Sequence, residues 1–332
     1  MTQPTLHFVT LDVFTTSAFK GNPLAVVFLS DNVPINQEQK QLIARQFNYS
    51  ETIFIHPTAA GENANSSKRT IDIFTTHKEL PFAGHPTIGA TSWLLLHSKP
   101  EASAADAPTT ITTKAGDIPI SISSQDPNMV SALIPHNVRI HSTRLPLAAL
   151  LRLHPTLQPY LDANDAAYSG GFPIVSVVKG MTAVHVRLPS LEALAAVQNA
   201  NGGGRIPSVG KSRGGYLDDD FADSHVSAYF YVKDVWDEVK GRNVIRSRMF
   251  VHTIEDPATG SAASGLVAYL SLSGQGIAGG GKAVFDVVQG VEMGRRSDIG
   301  LQVQLKEGGR EIDSIQLSGS AARVAEGDIV VQ

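Results

Sequence analysis

The run Ile88-Gly89-Ala90-Thr91-Ser92-Trp93-Leu94-Leu95-Leu96 carries no charge and gives a helix no polar face. A helix that is apolar nearly all round must be buried, so the rest of the chain has to wrap around it. Its entry is Glu79-Leu80-Pro81-Phe82-Ala83-Gly84-His85-Pro86-Thr87, reached through the polar Thr75, Thr76 and His77. That corner supplies a Gly, a His, a Pro suited to the first helical turn and a free Thr hydroxyl. Buried helices that begin in such a loop present unpaired N–H groups and a positive dipole end to an anion.

The same pattern occurs a second time. Glu255-Asp256-Pro257-Ala258-Thr259-Gly260-Ser261-Ala262 is again a polar loop with Pro and Gly, and it enters the small and apolar run Ala263–Leu270. Two buried helices, each flanked by hairpin patterns, point to an internally duplicated architecture. A length of 332 residues also favours two domains over one core.

Around the first corner, residues 6–14 and 24–29 pattern as two strands joined by the Gly21-Asn22-Pro23 turn, and 36–47 as an amphipathic helix. Residues 48–55 and 70–74 read as strands, 58–69 as a polar loop and 99–110 as a flexible surface connection. Residues 109–113, 118–123 and 130–134 read as an antiparallel run. Residues 145–161 have helical Leu spacing interrupted by Pro155 and Pro159, and 191–197 is helical. Residues 173–179 and 183–188 form a hairpin across Gly180, 225–232 is a strand, and 283–331 alternates strands with Gly turns. The expected domains are 1–125 and 126–321, with the last strand, about 322–332, able to rejoin the first.

Composition narrows the function. A net charge of −4 with no long Lys/Arg run argues against a nucleic-acid or anionic-membrane partner. No apolar segment reaches the roughly 18–20 residues of a membrane span. Met1-Thr2-Gln3-Pro4-Thr5 has no basic region followed by an apolar run, so no secretory signal is expected. The absence of cysteine fits a reducing cytoplasm and rules out thiol mechanisms. No His-Glu-x-x-His spacing suggests a metal, no Gly-x-Ser-x-Gly surrounds Ser261, and no dinucleotide fingerprint follows a strand. Gly210-Lys211-Ser212 is not a phosphate loop, because Arg205 occupies the place of the required Gly.

Two loop-to-helix corners from two domains can face each other across a cleft, where small-molecule sites commonly lie. Gly84, Thr259, Gly260 and Ser261 would offer N–H or hydroxyl donors to a substrate carboxylate. Glu51, His85 and Asp256 are the candidate proton carriers. Each also has a plain structural reading: Glu51 as a solvent-facing strand start, His85 as a helix cap, Asp256 as a turn and N-cap residue.

These motifs resemble those of the phenazine-biosynthesis isomerase (PhzF-like) family of the diaminopimelate-epimerase fold superfamily. The resemblance runs from Asp12-Val13-Phe14 and Gly21-Asn22-Pro23 through Ser50-Glu51-Thr52 and Glu79–Thr87. It continues through Arg248-x-Phe250 and Glu255–Ala262 to Gln289-Gly290-x-x-Met293-Gly294-Arg295. It implies an α+β fold of two similar domains, each a β-barrel-like sheet wrapped around a central buried helix, with the active site between them. It also implies a homodimer and no cofactor. By position, Glu51 matches the family's general acid/base, His85 and Asp256 its polar site residues, and Gly84 and Ser261 substrate-contacting positions. Cysteine-pair racemisation cannot operate here, whereas a Glu-centred proton shuttle can. Arg296 departs from the family's usual Pro at that position.

The expected function is therefore a cofactor-independent isomerase that moves a proton between carbons of a small carboxylated metabolite. Another rearrangement or elimination on the same scaffold, and a metabolite-binding protein without turnover, are the alternatives.

Overall fold

A computed structural model describes residues 3–58, 67–98, 107–124, 126–274 and 281–331. Most of the expected polar loop 58–69 and connection 99–110, and residue 125 at the expected boundary, lie outside those residues. The described residues form eighteen strands, numbered β1 to β18 in chain order, and six α-helices, α1 to α6. The chain divides into one compact unit of residues 1–135 and 316–332 and a second of 136–315.

In the first unit, β1 (Thr5–Val13) lies between β18 (Ala321–Val330) and β2 (Asn22–Phe28), antiparallel to both. β2 pairs in parallel with β3 (Glu51–Ile55), and β3 is antiparallel to β4 (Lys68–Phe74). The short β5 (Glu79–Leu80) turns back on β4, which continues in parallel to β6 (Thr110–Thr113). β7 (Gly116–Ile122) and β8 (Val130–Leu133) follow antiparallel, and β8 pairs with Gln316–Gly319 of β17 (Ile312–Gly319). The crossover between β2 and β3 is α1 (Gln37–Phe47), which starts in a capping box. Asn36 Oδ1 accepts from the Gln39 N–H, and Gln39 Oε1 accepts from the Asn36 N–H.

The helix α2 (Gly84–Ser92) packs against β1, β2, β3, β8 and β18, strands from both arms of this ladder. All nine of its residues are buried. The apolar run does not remain fully buried to its end, however. From Trp93 to His97 the helix widens into one π turn, closed by the Ser98 N–H to Trp93 O bond, and these residues are only half-buried.

In the second unit the ladder runs from β9 (Arg139–Leu145) to β10 (Phe172–Val178) and β11 (Met181–Arg187), both steps antiparallel. It continues in parallel to β12 (His225–Asp237) and antiparallel to β13 (Arg242–Val251). It then runs in parallel to β15 (Lys282–Gln289) and antiparallel to β16 (Ser297–Leu305). The short β14 (Ile254–Asp256) turns back on β13, and α6 (Gly260–Leu272) packs on β10, β11, β15 and β16. The small helices α3 (Leu147–Leu153), α4 (Ala166–Ser169) and α5 (Leu191–Ala195) connect these strands. The helical spacing of 145–161 yields only α3 and a single 3-10 turn, because Pro155 cannot continue the helix. β9 precedes it as a strand that the spacing does not announce.

The duplication is visible within the ladders. Both show the pairing order antiparallel, antiparallel, parallel, antiparallel, parallel, antiparallel. The registers also repeat at one offset: Thr52 opposite Phe74 becomes Ala228 opposite Phe250, and Phe74 opposite Glu79 becomes Phe250 opposite Glu255 (255 − 79 = 176). Gly84 and Gly260, and Gly89 and Gly265, stand at that same offset.

Candidate active site

Glu51 is the first residue of β3, beside Leu24 in the parallel ladder with β2. His85 is the second residue of α2. Their approach depends on how closely α2 lies on β2. A Cβ on Gly89 would come within 2.3 Å of Leu24 Cδ2 and 3.0 Å of Val13 Cγ2, so any side chain there would have to displace the buried Leu24 side chain to keep the helix as closely seated. In that arrangement His85 Nδ1 lies 3.6 Å from Glu51 Oε2, with the two side chains 6% and 17% exposed. The buried Asn22 at the start of β2 places its Nδ2 3.5 Å from the same His85 nitrogen.

This geometry separates the readings of these two residues. Glu51 does not face solvent, and burial raises its carboxyl pKa above the ordinary value, partly offset by a hydrogen bond from the Ser50 side chain. His85 does not cap α2, whose N-cap is Ala83 with no side-chain bond. At 3.6 Å the carboxylate and imidazole are an ion-pair distance apart, longer than a good hydrogen bond. A carboxyl placed this way can take and return a proton. Thr87 is corrected: its hydroxyl is not free, but donates to Ala83 O at 2.8 Å and is fully buried.

The second corner is held by a buried hydrogen-bond network around Gln289. Gln289 Nε2 donates to Asp256 O at 2.7 Å and Thr259 Oγ1 at 3.0 Å. Its Oε1 accepts from the Thr259 N–H at 3.2 Å and from the Tyr229 hydroxyl at 3.1 Å. Ser247 Oγ, 2.9 Å from that phenol oxygen, then serves as its donor. Thr259 Oγ1 donates to Asp256 Oδ2 at 2.5 Å. Asp256 thus occupies the turn and orients Thr259, the N-cap of α6. Both donors of Thr259 are used inside the corner, which leaves the amides of Gly260, Ser261 and Ala262 as the donors of the first turn. Their amides precede the intrahelical ladder, which begins with the Ala263 N–H to Thr259 O bond.

Gly290 completes this support. At its φ of +74° a Cβ would lie 2.6 Å from both Pro257 O and Arg295 O, so the β15 end closes over the loop only with glycine. Arg248 and Glu255 form a bidentate pair at 2.7 and 2.8 Å, and Arg248 Nη1 also donates to the Leu194, Ala195 and Val197 carbonyls. This pair anchors the β13–β14 hairpin that presents Asp256.

At the repeat offset, Glu51 corresponds to Ser227, His85 to Ser261 and Asp256 to Leu80. The buried helices and their glycines are duplicated, whereas the candidate polar residues are divided between the two units. Glu51 and His85 meet in the first; Asp256, Thr259, Gly260 and Ser261 meet in the second. Tyr229 and Ser247 escaped the sequence reading, and Gln289 entered it only as the start of a family motif without a role, because a polar residue inside a strand looks the same whether it faces solvent or a buried loop.

Among the described residues no helix is long and apolar enough to cross a membrane. Among them no group of three or more His, Asp or Glu is arranged to hold a metal ion.

Residues 11–327 match the family model described as phenazine biosynthesis-like protein. The chain is 30% identical to the trans-2,3-dihydro-3-hydroxyanthranilate isomerase of Pseudomonas fluorescens, over 98% of this chain and 99% of that one. It is 29% identical to an uncharacterised isomerase of Mesorhizobium japonicum, over 98% and 99% of the two chains. A crystal structure of a PhzF-family phenazine biosynthesis protein of Bacillus anthracis superposes with a TM-score of 0.73 at 22% identity. That superposition covers 99% of this chain and 100% of the other.

Proposed function

This chain belongs to the phenazine biosynthesis-like protein family, and on that premise we propose that it is an isomerase acting through Glu51. The reaction moves a proton between two carbons of a small carboxylated metabolite, amino-acid-derived or cyclic. One observation carries this reading: a buried carboxyl, its pKa raised by desolvation, stands 3.6 Å from an imidazole nitrogen. A general acid/base works best when its pKa approaches the working pH, and burial moves Glu51 in that direction.

In the proposed step the Glu51 carboxylate removes a proton from one carbon, and the electron pair spreads through the adjacent conjugated system. The resulting carboxylic acid returns the proton at the far end of that system. No net electrons are transferred, so the step requires no redox cofactor. His85 holds Glu51 in position and hydrogen-bonds a polar substituent of the substrate. The first-turn amides of Gly84 in α2, and of Gly260 and Ser261 in α6, are assigned to substrate binding, with a carboxylate at α6. Thr259 acts by shaping that turn, and Asp256 orients it and accepts from a substrate amino or hydroxyl group.

Each ladder is read as a barrel-like sheet around its buried helix, an α+β arrangement of the diaminopimelate-epimerase kind. The contacts of α2 with strands from both arms of its ladder support this. The resemblance further supports a homodimer, which light scattering tests directly, and the absence of cysteine supports a cytoplasmic location.

The compound named for the Pseudomonas fluorescens relative, trans-2,3-dihydro-3-hydroxyanthranilate, is the first candidate substrate. Mass spectrometry of metabolites that co-purify with Glu51→Gln tests the reading without presupposing the substrate. A carboxylated compound that accumulates on the variant and is isomerised by the wild type supports it. Conversion of that compound by the variant as fast as by the wild type overturns it.

A further inference from the structure

The second unit contains a cavity of about 460 Å³ that shares no residue with either corner. It reaches α6 at Tyr269. On β11, His185 and Arg187 are two residues apart and share a face, and their partners on β12 are Tyr229 and Tyr231. Tyr269 lies one helical turn after Gly265, whose Cβ would stand 3.3 Å from His185 Nε2. Arg144 on β9 sits beside its register partner Pro173 of β10, and Tyr168 and Lys233 complete the lining used here.

The charge of this cavity is one-sided. Its lining includes Arg144, Arg187 and Lys233 and no carboxylate. Among the described residues neither Arg187 nor Lys233 has an ion-pair partner. Arg144 donates Nε and Nη2 to the Gly171 carbonyl at 3.0 and 2.9 Å, which fixes its guanidinium. Arg144 and Arg187 are exposed and Lys233 is half-buried, so water screens their mutual repulsion, but together they make the mouth of the cavity attractive to an anion. Burial pushes the Tyr231 phenol up to about 12, so it remains a donor despite the nearby Arg187 and Arg144.

The inner end holds an unsatisfied polar group. His185 is 1% exposed, and neither of its ring nitrogens has a hydrogen-bond partner among the described residues. Burial drives its pKa down to about 3, so the ring is neutral, with one donor and one acceptor to satisfy. Buried polar groups in native structures are overwhelmingly paired, so His185 is an open hydrogen-bonding group in the cavity wall; both nitrogens are closed to solvent, and a ligand reaches one only with a small shift of that wall.

We propose that this cavity is a second binding site, separate from the Glu51 site, for a small single-ring carboxylate. The carboxylate lies among Arg144, Arg187 and Lys233. The ring packs against Tyr168, Tyr231 and Tyr269, and a ring hydroxyl or amino group points toward His185. The cavity volume falls in the range of small-molecule pockets and admits one ring comfortably.

Isothermal titration of the full chain with 4-hydroxybenzoate tests this. The expected result is saturable binding that Arg187→Glu weakens by about tenfold or more and that Glu51→Gln leaves unchanged. Arg187 is exposed, so the variant keeps the fold, and binding should also shift the ring-nitrogen resonances of His185. No saturable binding, an equal affinity in Arg187→Glu, or loss of binding in Glu51→Gln would each overturn the second site.

Discussion

Glu51 Oε2 and His85 Nδ1 lie 3.6 Å apart, on the first residue of a strand and the second residue of a fully buried helix. Neither residue is positioned by its own neighbours in sequence. The β2–β3 crossover fixes one, and the close seating of α2 on Leu24 fixes the other. The first consequence concerns stability. Burial raises the Glu51 pKa, so between the ordinary value of 4.5 and the raised one the folded chain holds more protons than the unfolded chain. Stability therefore falls as pH rises through that window. Glu51→Gln removes this penalty. Urea midpoints should match the wild type near pH 4 and exceed it near pH 8; a deficit at the higher pH contradicts the raised pKa.

His85→Asn keeps a polar group near Asn22 and removes the imidazole beside Glu51. Because misplacement of a catalytic group by about 1 Å costs on the order of 100-fold in rate, kcat should fall by about that factor. Thermal unfolding should change little. An unchanged kcat assigns His85 to packing alone.

Gln289→Leu removes four hydrogen bonds from the second corner and leaves the Thr259 N–H buried without an acceptor, while the Tyr229 hydroxyl can turn to Ser247 Oγ. The expected loss is about 1–3 kcal/mol of stability. KM should rise more than kcat falls, because the disturbed turn carries Gly260 and Ser261. Calorimetry and steady-state kinetics read the two effects separately.

At Gly89 a methyl group would meet Leu24 Cδ2 at 2.3 Å and Val13 Cγ2 at 3.0 Å. Gly89→Ala should destabilise by about 1–3 kcal/mol, the cost of overpacking a filled core. Activity should fall with it, since the same contact sets the Glu51–His85 distance.

Arg296 stands where the resemblance places proline, and the structure gives it a function of its own. It pairs with both oxygens of Asp237 at 2.8 and 2.9 Å and with Asp298. Its guanidinium, helped by backbone N–H groups, holds the Asp237 carboxyl below its ordinary value of 3.8. That stabilisation is present above the ordinary value and is lost as pH falls through the depressed one. Arg296→Pro should destabilise by about 1–3 kcal/mol at neutral pH, and the difference should shrink in acid, as urea midpoints at the two pH values would report.

The two buried helices were legible in the sequence because nothing else explains runs as free of charge as Ile88–Leu96 and Ala263–Leu270. Their entries were legible because Pro and Gly mark them. β9 was not, since Arg139-Ile140-His141-Ser142-Thr143-Arg144-Leu145 alternates with too few apolar residues to stand out. The Glu51–His85 pairing was also hidden, because 34 positions (85 − 51) separate residues that only a parallel crossover brings together. Thr87 and Thr259 mark a further limit. A hydroxyl at a helix entrance reads as available to a ligand, yet one turns back to Ala83 and the other serves Asp256 and Gln289.

The central claim is that Glu51 carries the proton. Incubating the enzyme and its isomerisable carboxylated substrate in heavy water, and locating deuterium by NMR and mass spectrometry, tests it most directly. Wild type should place deuterium on the product carbon, and Glu51→Gln, folded by circular dichroism, should place none there. Deuterium incorporation by Glu51→Gln at the wild-type rate would contradict the account.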